Sequence, residues 1–139
     1  MQYHISTELG DDENPGTSEK PWRTLARANA HRYAGGDKIR LRAGEIFSGS
    51  LSFSPDNVTK DEGEHFTIEA YGSDTELGYP LPDPVIESGT ESAITLRNLS
   101  RVKVWDIEVR GSGYDTNTGW GVRILNDAPG AERLKHVHV

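Results

Sequence analysis

The chain has 139 residues, of which 34% are hydrophobic and 27% are charged, a composition typical of a soluble folded domain. Its 15 Lys and Arg stand against 22 Asp and Glu, and the net charge of −7 argues against a general affinity for nucleic acid, which needs a basic surface. No cysteine is present, so disulfide and thiolate chemistry are excluded, and no stretch is long and apolar enough to span a membrane. The opening, MQYHISTELGDDENPG, lacks the basic and apolar regions of a signal peptide.

The first predicted helix lies in the segment TSEKPWRTLARANAHRY. Trp22, Leu25 and Ala28 fall on one helical face, and Pro21 suits a helix entrance. We expect this helix to cover the open end of the structure that follows, with Trp22 in the core rather than at a ligand. The acidic run from Asp11 to Asn14 lacks the ligand spacing of a calcium loop and is interpreted as a turn.

Short strands with one buried face are predicted by apolar residues that alternate with polar ones. The alternation recurs every 26 to 29 residues, at Ile39 and Leu41, at Phe66, Ile68 and Ala70, at Ile94 and Leu96, and at Val122 and Ile124. Further alternation follows in the stretches 102–104, 107–109 and 137–139, with Trp105 and Asp106 at a bend. A repeat of this length with three short strands is typical of a β-solenoid.

The residues that follow these strands point to recurrent corners. Gly72, Asn98 and Asn126 each stand two positions beyond the last alternating residue, and Gly and Asn enter the left-handed backbone region at least cost. We therefore interpret them as structural corners, with Asn98 and Asn126 stacked and hydrogen-bonding the next turn. An active-site role for the asparagines is the alternative.

The predicted fold is all-β, a right-handed parallel β-helix with an N-terminal capping helix. We expect Ile68, Ile94 and Val122 to stack as inward residues of one parallel sheet, and their placement in different sheets would contradict the solenoid. The competing fold is a β-sandwich, which also consists of short strands separated by turns.

Three motifs stand out in the first half of the chain. The first is a turn of the form G-x-D-x-N-P-G-T-x-x-x-P before the predicted helix. The second is P-G-D-x-I-x-x-x-x-G, with glycine here in place of the proline, and the third is I-x-A-Y-G. The matching residues are Gly10, Asp12, Asn14, Pro15, Gly16, Thr17 and Pro21, then Gly36, Asp37, Ile39 and Gly44, then Ile68, Ala70, Tyr71 and Gly72. Together these motifs resemble the opening of bacterial right-handed parallel β-helix proteins of the pectate-lyase-like superfamily.

This resemblance implies an N-terminal strand, turn and capping helix in residues 1–35 and the first coils in residues 36–139. Val137 and Val139 match Val102 and Val104, so the chain is expected to end inside a coil, truncated C-terminally, with the remainder of its own β-helix as a partner. The implied protein is secreted or on the cell surface and is a lyase or hydrolase of acidic polysaccharides. A non-catalytic adhesin-like or glycan-binding module is the alternative. No cofactor is evident, although calcium would suit such a lyase in a longer protein.

Candidate site residues follow from the predicted strands and loops. Asp106, Glu108 and Arg110 form a compact group of two acidic residues and one basic residue on one predicted strand. They are the catalytic candidates, and a solvated strand face is the alternative interpretation. Because the resemblance places catalysis on central coils, the catalytic residues are expected outside this segment. Tyr114 and Trp120, in the loop GSGYDTNTGWG, are the substrate-binding candidates because aromatic rings stack on sugars. No metal site is predicted.

Overall fold

The structure, a computed structural model, describes residues 1–59, 63–73, 80–129 and 133–139. One short helix and eleven strands occur within these ranges. They are β1 (Gln2–Ile5), α1 (Leu25–Ala30), β2 (Lys38–Arg42), β3 (Ile46–Ser48), β4 (Leu51–Phe53), β5 (Phe66–Tyr71), β6 (Val85–Gly89), β7 (Ile94–Arg97), β8 (Val102–Val104), β9 (Glu108–Gly111), β10 (Val122–Leu125) and β11 (Val137–His138).

The strands form three sheets in which each pair described is parallel. The sheet orders are β1-β2-β5-β8-β11, β3-β6-β9 and β4-β7-β10. Consecutive strands such as β2, β3 and β4 therefore lie in three different sheets, and the chain returns to each sheet one repeat later. A β-sandwich pairs antiparallel strands, so this alternative is excluded for the described part of the chain.

All three sheets contribute to one hydrophobic core. Ile68 of the five-stranded sheet, Ile86 of β6 and Ile94 of β7 are fully buried in the same cluster. Parallel sheets that are covered on their inner faces bury branched apolar side chains in this way. The core thus fixes which side chains of each strand point outward.

The predicted stacking of three residues in one sheet is wrong. Ile68 pairs with Ile39 and Val104 in the five-stranded sheet, whereas Ile94 lies between Leu51 and Val122 in a different sheet. The alternation identified buried residues such as Ile39, Ile68 and Ile94 correctly, whereas Ile124 and Val139 are 47% and 68% exposed. Strands of all three sheets share the same period of two. Similar spacings therefore aligned strands that belong to different sheets.

Left-handed residues mark the turns, and only some of them are those expected. Asn98 has φ 55° and Gly72 has φ 71°, but they follow strands of different sheets, and Asn126 is not among the described residues with positive φ. Arg101 and His136, with φ 58° and 57°, precede the paired strands β8 and β11. The recurrent left-handed turn before the five-stranded sheet is thus occupied by charged or imidazole side chains, which sequence reasoning did not anticipate.

The N-terminal segment packs as expected, although Trp22 precedes the helix instead of lying on it. Trp22 forms an isolated parallel bridge with Ile5 and is 1% exposed. Helix α1 begins after Thr24, whose side chain accepts a hydrogen bond from the Arg27 amide. Asp12 accepts from the amides of Arg23 and Thr24 and from the Thr24 hydroxyl at 2.7–3.0 Å. The first matching motif therefore forms a turn that fixes the start of the helix.

Parallel pairing in the five-stranded sheet continues through β11. Val137 lies opposite Val102, as predicted from their matching strands. Within the described ranges, no helix has the length and apolar character needed to cross a membrane.

Candidate functional site

A surface cavity of about 420 Å³ lies beside the loop that connects β9 to β10. Its volume falls within the range of small-ligand sites, about 300–1,000 Å³. The lining combines aromatic, amide, guanidinium and small residues: Ser88, Ala93, Val109, Arg110, Gly111, Gly113, Tyr114, Asn117, Gly119, Trp120 and Gly121. The structure thus brings together one catalytic candidate, Arg110, and both substrate-binding candidates.

Asn117 holds the loop against the preceding repeat. Its side-chain amide donates to the carbonyl oxygens of Gly89 at 2.7 Å and Glu91 at 3.3 Å, while its Oδ1 accepts from the Gly119 amide at 2.7 Å. Because this one side-chain amide bonds backbone groups of two segments, it restricts the position of both segments. Sequence reasoning missed Asn117, although its place in a glycine-rich loop, two residues before Gly119, was a usable signal.

Trp120 and Tyr114 present aromatic surface to solvent at the cavity. Trp120 is 59% exposed and its amide donates to Ser92 Oγ at 2.9 Å, which fixes the backbone beneath the ring. The Arg123 guanidinium lies 5.1 Å from the Trp120 ring centroid, and Tyr114 is 99% exposed at the loop tip. The exposed surface of Trp120 can therefore stack on the apolar face of a sugar ring.

Arg110 joins two carboxylates on the outer face of the β3-β6-β9 sheet. Its guanidinium contacts Glu108 Oε1 at 2.9 Å and Glu87 Oε1 at 3.4 Å. The hydrogen bond to Glu108, followed by the charges of Glu108 and Glu87, raises the pKa of Arg110. Glu87 was absent from the sequence candidates because it belongs to the previous repeat. Asp106 lies in the turn before β9 with φ 52° and is not a hydrogen-bond partner of this group in the described residues.

His136 and His138, near the C-terminus, lie close to His65. The ring of His65 is 6.2 Å from that of His136 and 6.0 Å from that of His138, measured between centroids. Across the part of the chain that the structure describes, no three His, Asp or Glu side chains are arranged to hold a metal ion.

Asn98 binds the next repeat through its side chain. Its Oδ1 accepts from the amides of Asp127 at 2.9 Å and Ala128 at 3.2 Å, and its amide donates to Asp127 Oδ1 at 3.0 Å. The Arg97 guanidinium also binds Asp127, at 2.7 Å. The side chain that Asn98 faces in the next turn is thus Asp127, one residue beyond the expected Asn126.

The solved structures with a similar fold include a carbohydrate-active enzyme. The chain aligns with two crystal structures of the GH136 lacto-N-biosidase from Eubacterium ramulus, a selenomethionine derivative with a TM-score of 0.72 and the native protein with 0.70. Each alignment has 20% sequence identity and covers 90% and 91% of this chain, respectively, but 26% of the solved chain. The shared feature is the fold of that quarter of the enzyme.

A curated relative carries the same activity in its name. The lacto-N-biosidase of Bifidobacterium longum subsp. longum is 35% identical over an alignment of 82 residues that covers 57% of this chain. This chain spans 5% of that relative's length. No known family profile matches the sequence.

These findings correct the resemblance to the pectate-lyase-like superfamily, because the similar proteins are lacto-N-biosidases, of which the solved one belongs to GH136. The structure shows why the motifs misled. Asp12 fixes the start of α1, the Asn14 amide donates to the Pro21 carbonyl, and the Trp22 indole donates to the Asn14 carbonyl. The matching residues form a turn and the start of a helix, which is local structure. The same local structure can occur in proteins of unrelated families.

Proposed function

We propose that this chain is part of a carbohydrate-active glycoside hydrolase and that the cavity beside Trp120 binds a glycan with a lacto-N-biose unit. The observation that carries the proposal is the half-exposed Trp120 ring over a cavity whose loop is fixed by Asn117. Similarity to lacto-N-biosidases supports the substrate class. The earlier expectation of acidic glycans lacks such support, since the Arg110 guanidinium already binds two carboxylates.

We propose further that the three sheets are the faces of a parallel β-helix. The support is the order in which the chain visits them, one strand of each per repeat, together with a core to which all three contribute. Ile68 and Ile94 belong to different faces, so the criterion stated from the sequence, that they share one sheet, is not met. That criterion was too strict, because each turn of a β-helix contributes strands with the same alternation to several sheets.

A non-catalytic glycan-binding role for these residues is the second candidate. Glycoside hydrolysis uses two carboxyl groups, one as a proton donor and one as a base or nucleophile. Glu87 and Glu108 are both ion-paired with Arg110, which lines the cavity. This pairing supports glycan binding without catalysis by these residues, and in the proposed hydrolase the reacting carboxylates therefore lie elsewhere.

Titration calorimetry with lacto-N-biose tests the proposed site. We expect saturable binding to this chain and an affinity at least about five-fold lower for Trp120→Ala, since stacking on an aromatic ring contributes about 1 kcal/mol. Digalacturonate, the acidic comparison ligand, should bind more weakly than lacto-N-biose.

Leu9→Ala is the matched control, because Leu9 is similarly exposed, at 63%, but does not line the cavity. It should bind lacto-N-biose as the parent chain does. Equal binding by the Trp120→Ala variant and the parent would refute the proposed site, and preferential binding of digalacturonate would refute the substrate class.

A further inference from the structure

A second cavity, of about 410 Å³, lies on the outer face of the five-stranded sheet. It is centred on β5 and is bounded by its neighbours β2 and β8. The lining residues are Gly36, Lys38, Gly63, Glu64, His65, Thr67, Glu69, Lys103 and Trp105. None of them lines the cavity beside Trp120, which belongs to a different sheet.

The second cavity arises because a short side chain lies between two long ones on neighbouring strands. Thr67 on β5 lies between Lys38 on β2 and Lys103 on β8, and Thr67 is 5% exposed although it points outward. Strands in a sheet are about 4.8 Å apart, so the two lysines flank the short Thr67 as walls. Thr67 thus forms the floor of a polar cavity.

The polar groups at the second cavity include both acceptors and donors. Glu69 forms ion pairs with Lys38 Nζ at 3.3 Å and with Arg40 Nε at 3.0 Å, which keep its carboxylate at the cavity. Lys103 has no carboxylate within 4 Å in the described residues, and its ammonium group can donate to a ligand. The Nε2 atom of His65 is buried and lacks a hydrogen-bond partner.

Trp105 adds an aromatic wall at one end of the second cavity. The ring is 49% exposed, and the Trp105 amide donates to the Ile68 carbonyl at 2.9 Å, which fixes the residue at the end of β8. The charges of the lining side chains balance, with Lys38 and Lys103 against Glu64 and Glu69. A neutral ligand with hydroxyl groups that both donate and accept matches this lining better than an anion does.

We infer that this second cavity is a separate binding subsite for a neutral sugar ring. The apolar face of the ring stacks on Trp105, and two adjacent hydroxyl groups bind the Glu69 carboxylate and the Lys103 ammonium group. This subsite is independent of the proposed glycan site beside Trp120, and either could exist without the other.

Fluorine NMR of the chain labelled with 5-fluorotryptophan distinguishes the two sites, because its three tryptophans report on different places. Trp22 is buried, Trp105 lines the second cavity, and Trp120 lines the first. The probes are methyl β-D-galactopyranoside and N-acetyl-D-glucosamine, with sodium sulfate as an anionic comparison. We expect at least one sugar to shift the Trp105 resonance saturably, both in the parent and in Trp120→Ala.

Two variants test the hydrogen-bonding groups. Lys103→Met keeps the side-chain length and breaks no described ion pair, and Glu69→Ala removes the carboxylate. Each should weaken the response of Trp105 at least about five-fold while the Trp22 resonance stays at its parent position, which shows that the core is intact.

Several outcomes would overturn the inference. One is the absence of a Trp105 shift with either sugar at tens of millimolar, and another is a shift that disappears in Trp120→Ala, which would mean a single site. A response to sulfate without a response to sugars would identify an anion site instead. A Trp105 shift without a Trp120 shift would still support the second subsite, and the calorimetry with lacto-N-biose decides separately on the proposed glycan site beside Trp120.

Discussion

At the scale of single residues, the turns of this chain depend on side chains that bridge one repeat to the next. Asn98 combines a left-handed backbone, φ 55°, with three side-chain hydrogen bonds to Asp127 and Ala128. A residue at this position must therefore tolerate the backbone conformation and also satisfy backbone amides of the following repeat.

Replacing Asn98 by Val should lower the free energy of unfolding by about 1–3 kcal/mol. A β-branched residue is strained in the left-handed region, and the amides of Asp127 and Ala128 lose their acceptor. Urea denaturation of the parent and the variant measures the difference.

Asn98→Gly is the matched comparison, because glycine adopts the backbone conformation without strain but cannot replace the hydrogen bonds. It should destabilise the chain less than Asn98→Val does. A Val variant as stable as the parent would contradict the assigned corner.

At the scale of elements, the segment between β9 and β10 is a loop with a fixed base and an exposed tip. The Ser112 amide donates to the Gly89 carbonyl at 2.8 Å, and the Asn117 side chain bonds Gly89 and Glu91. Tyr114, between these two attachment points, is almost fully exposed. The tip can therefore adapt to a ligand while the base positions Trp120.

Asn117→Ala should release the loop base without unfolding the sheets. We expect amide hydrogen exchange in residues 112–121 to become at least about five-fold faster, because the variant loses three hydrogen bonds that join the loop to itself and to the previous repeat. Exchange in β5 should stay unchanged.

Thr118→Ala, which changes the neighbouring exposed residue, serves as the control and should leave exchange of the loop as in the parent. Parent-like protection in Asn117→Ala would show that backbone contacts alone hold the loop.

At the scale of the whole molecule, several histidines have lowered pKa values. Burial, opposed by the hydrogen bond to the Gly16 carbonyl, lowers the pKa of His4, which also packs against Tyr71. Burial and then the Arg27 charge lower the pKa of His31. For His65 the causes are desolvation and then the charges of Lys103 and Arg101. Protonation of these rings therefore opposes folding.

The free energy of unfolding should consequently fall as the pH is lowered through about 6.5, the ordinary pKa of histidine. In this range the unfolded chain binds more protons than the folded chain, so acid favours unfolding. Urea titrations at pH 7.5 and 5.5 measure the change. His4→Gln, whose side chain cannot be protonated, should show a smaller difference in the free energy of unfolding between the two pH values. A parent chain that is more stable at pH 5.5 than at pH 7.5 would contradict the lowered histidine pKa values.

The sequence by itself determined the local features of this protein. Period-two alternation identified inward residues such as Ile39 and Ile68, and aromatic residues in a glycine-rich loop identified Tyr114 and Trp120 as candidates for an exposed site. These features are readable because burial on one face and tolerance of a turn act on residues close together in the chain. The extracellular location and a calcium requirement stay predictions.

Only the tertiary structure decided which strands are neighbours and which side chains meet across repeats. Ile68 and Ile94 have the same pattern and differ in sheet, since alternation records the direction of a side chain but not its partner strand. Glu87 and Arg110 meet across 23 positions of the chain, as Gly89 and Asn117 do across 28. Both pairings depend on the register of stacked repeats, and loops of variable length between strands set that register.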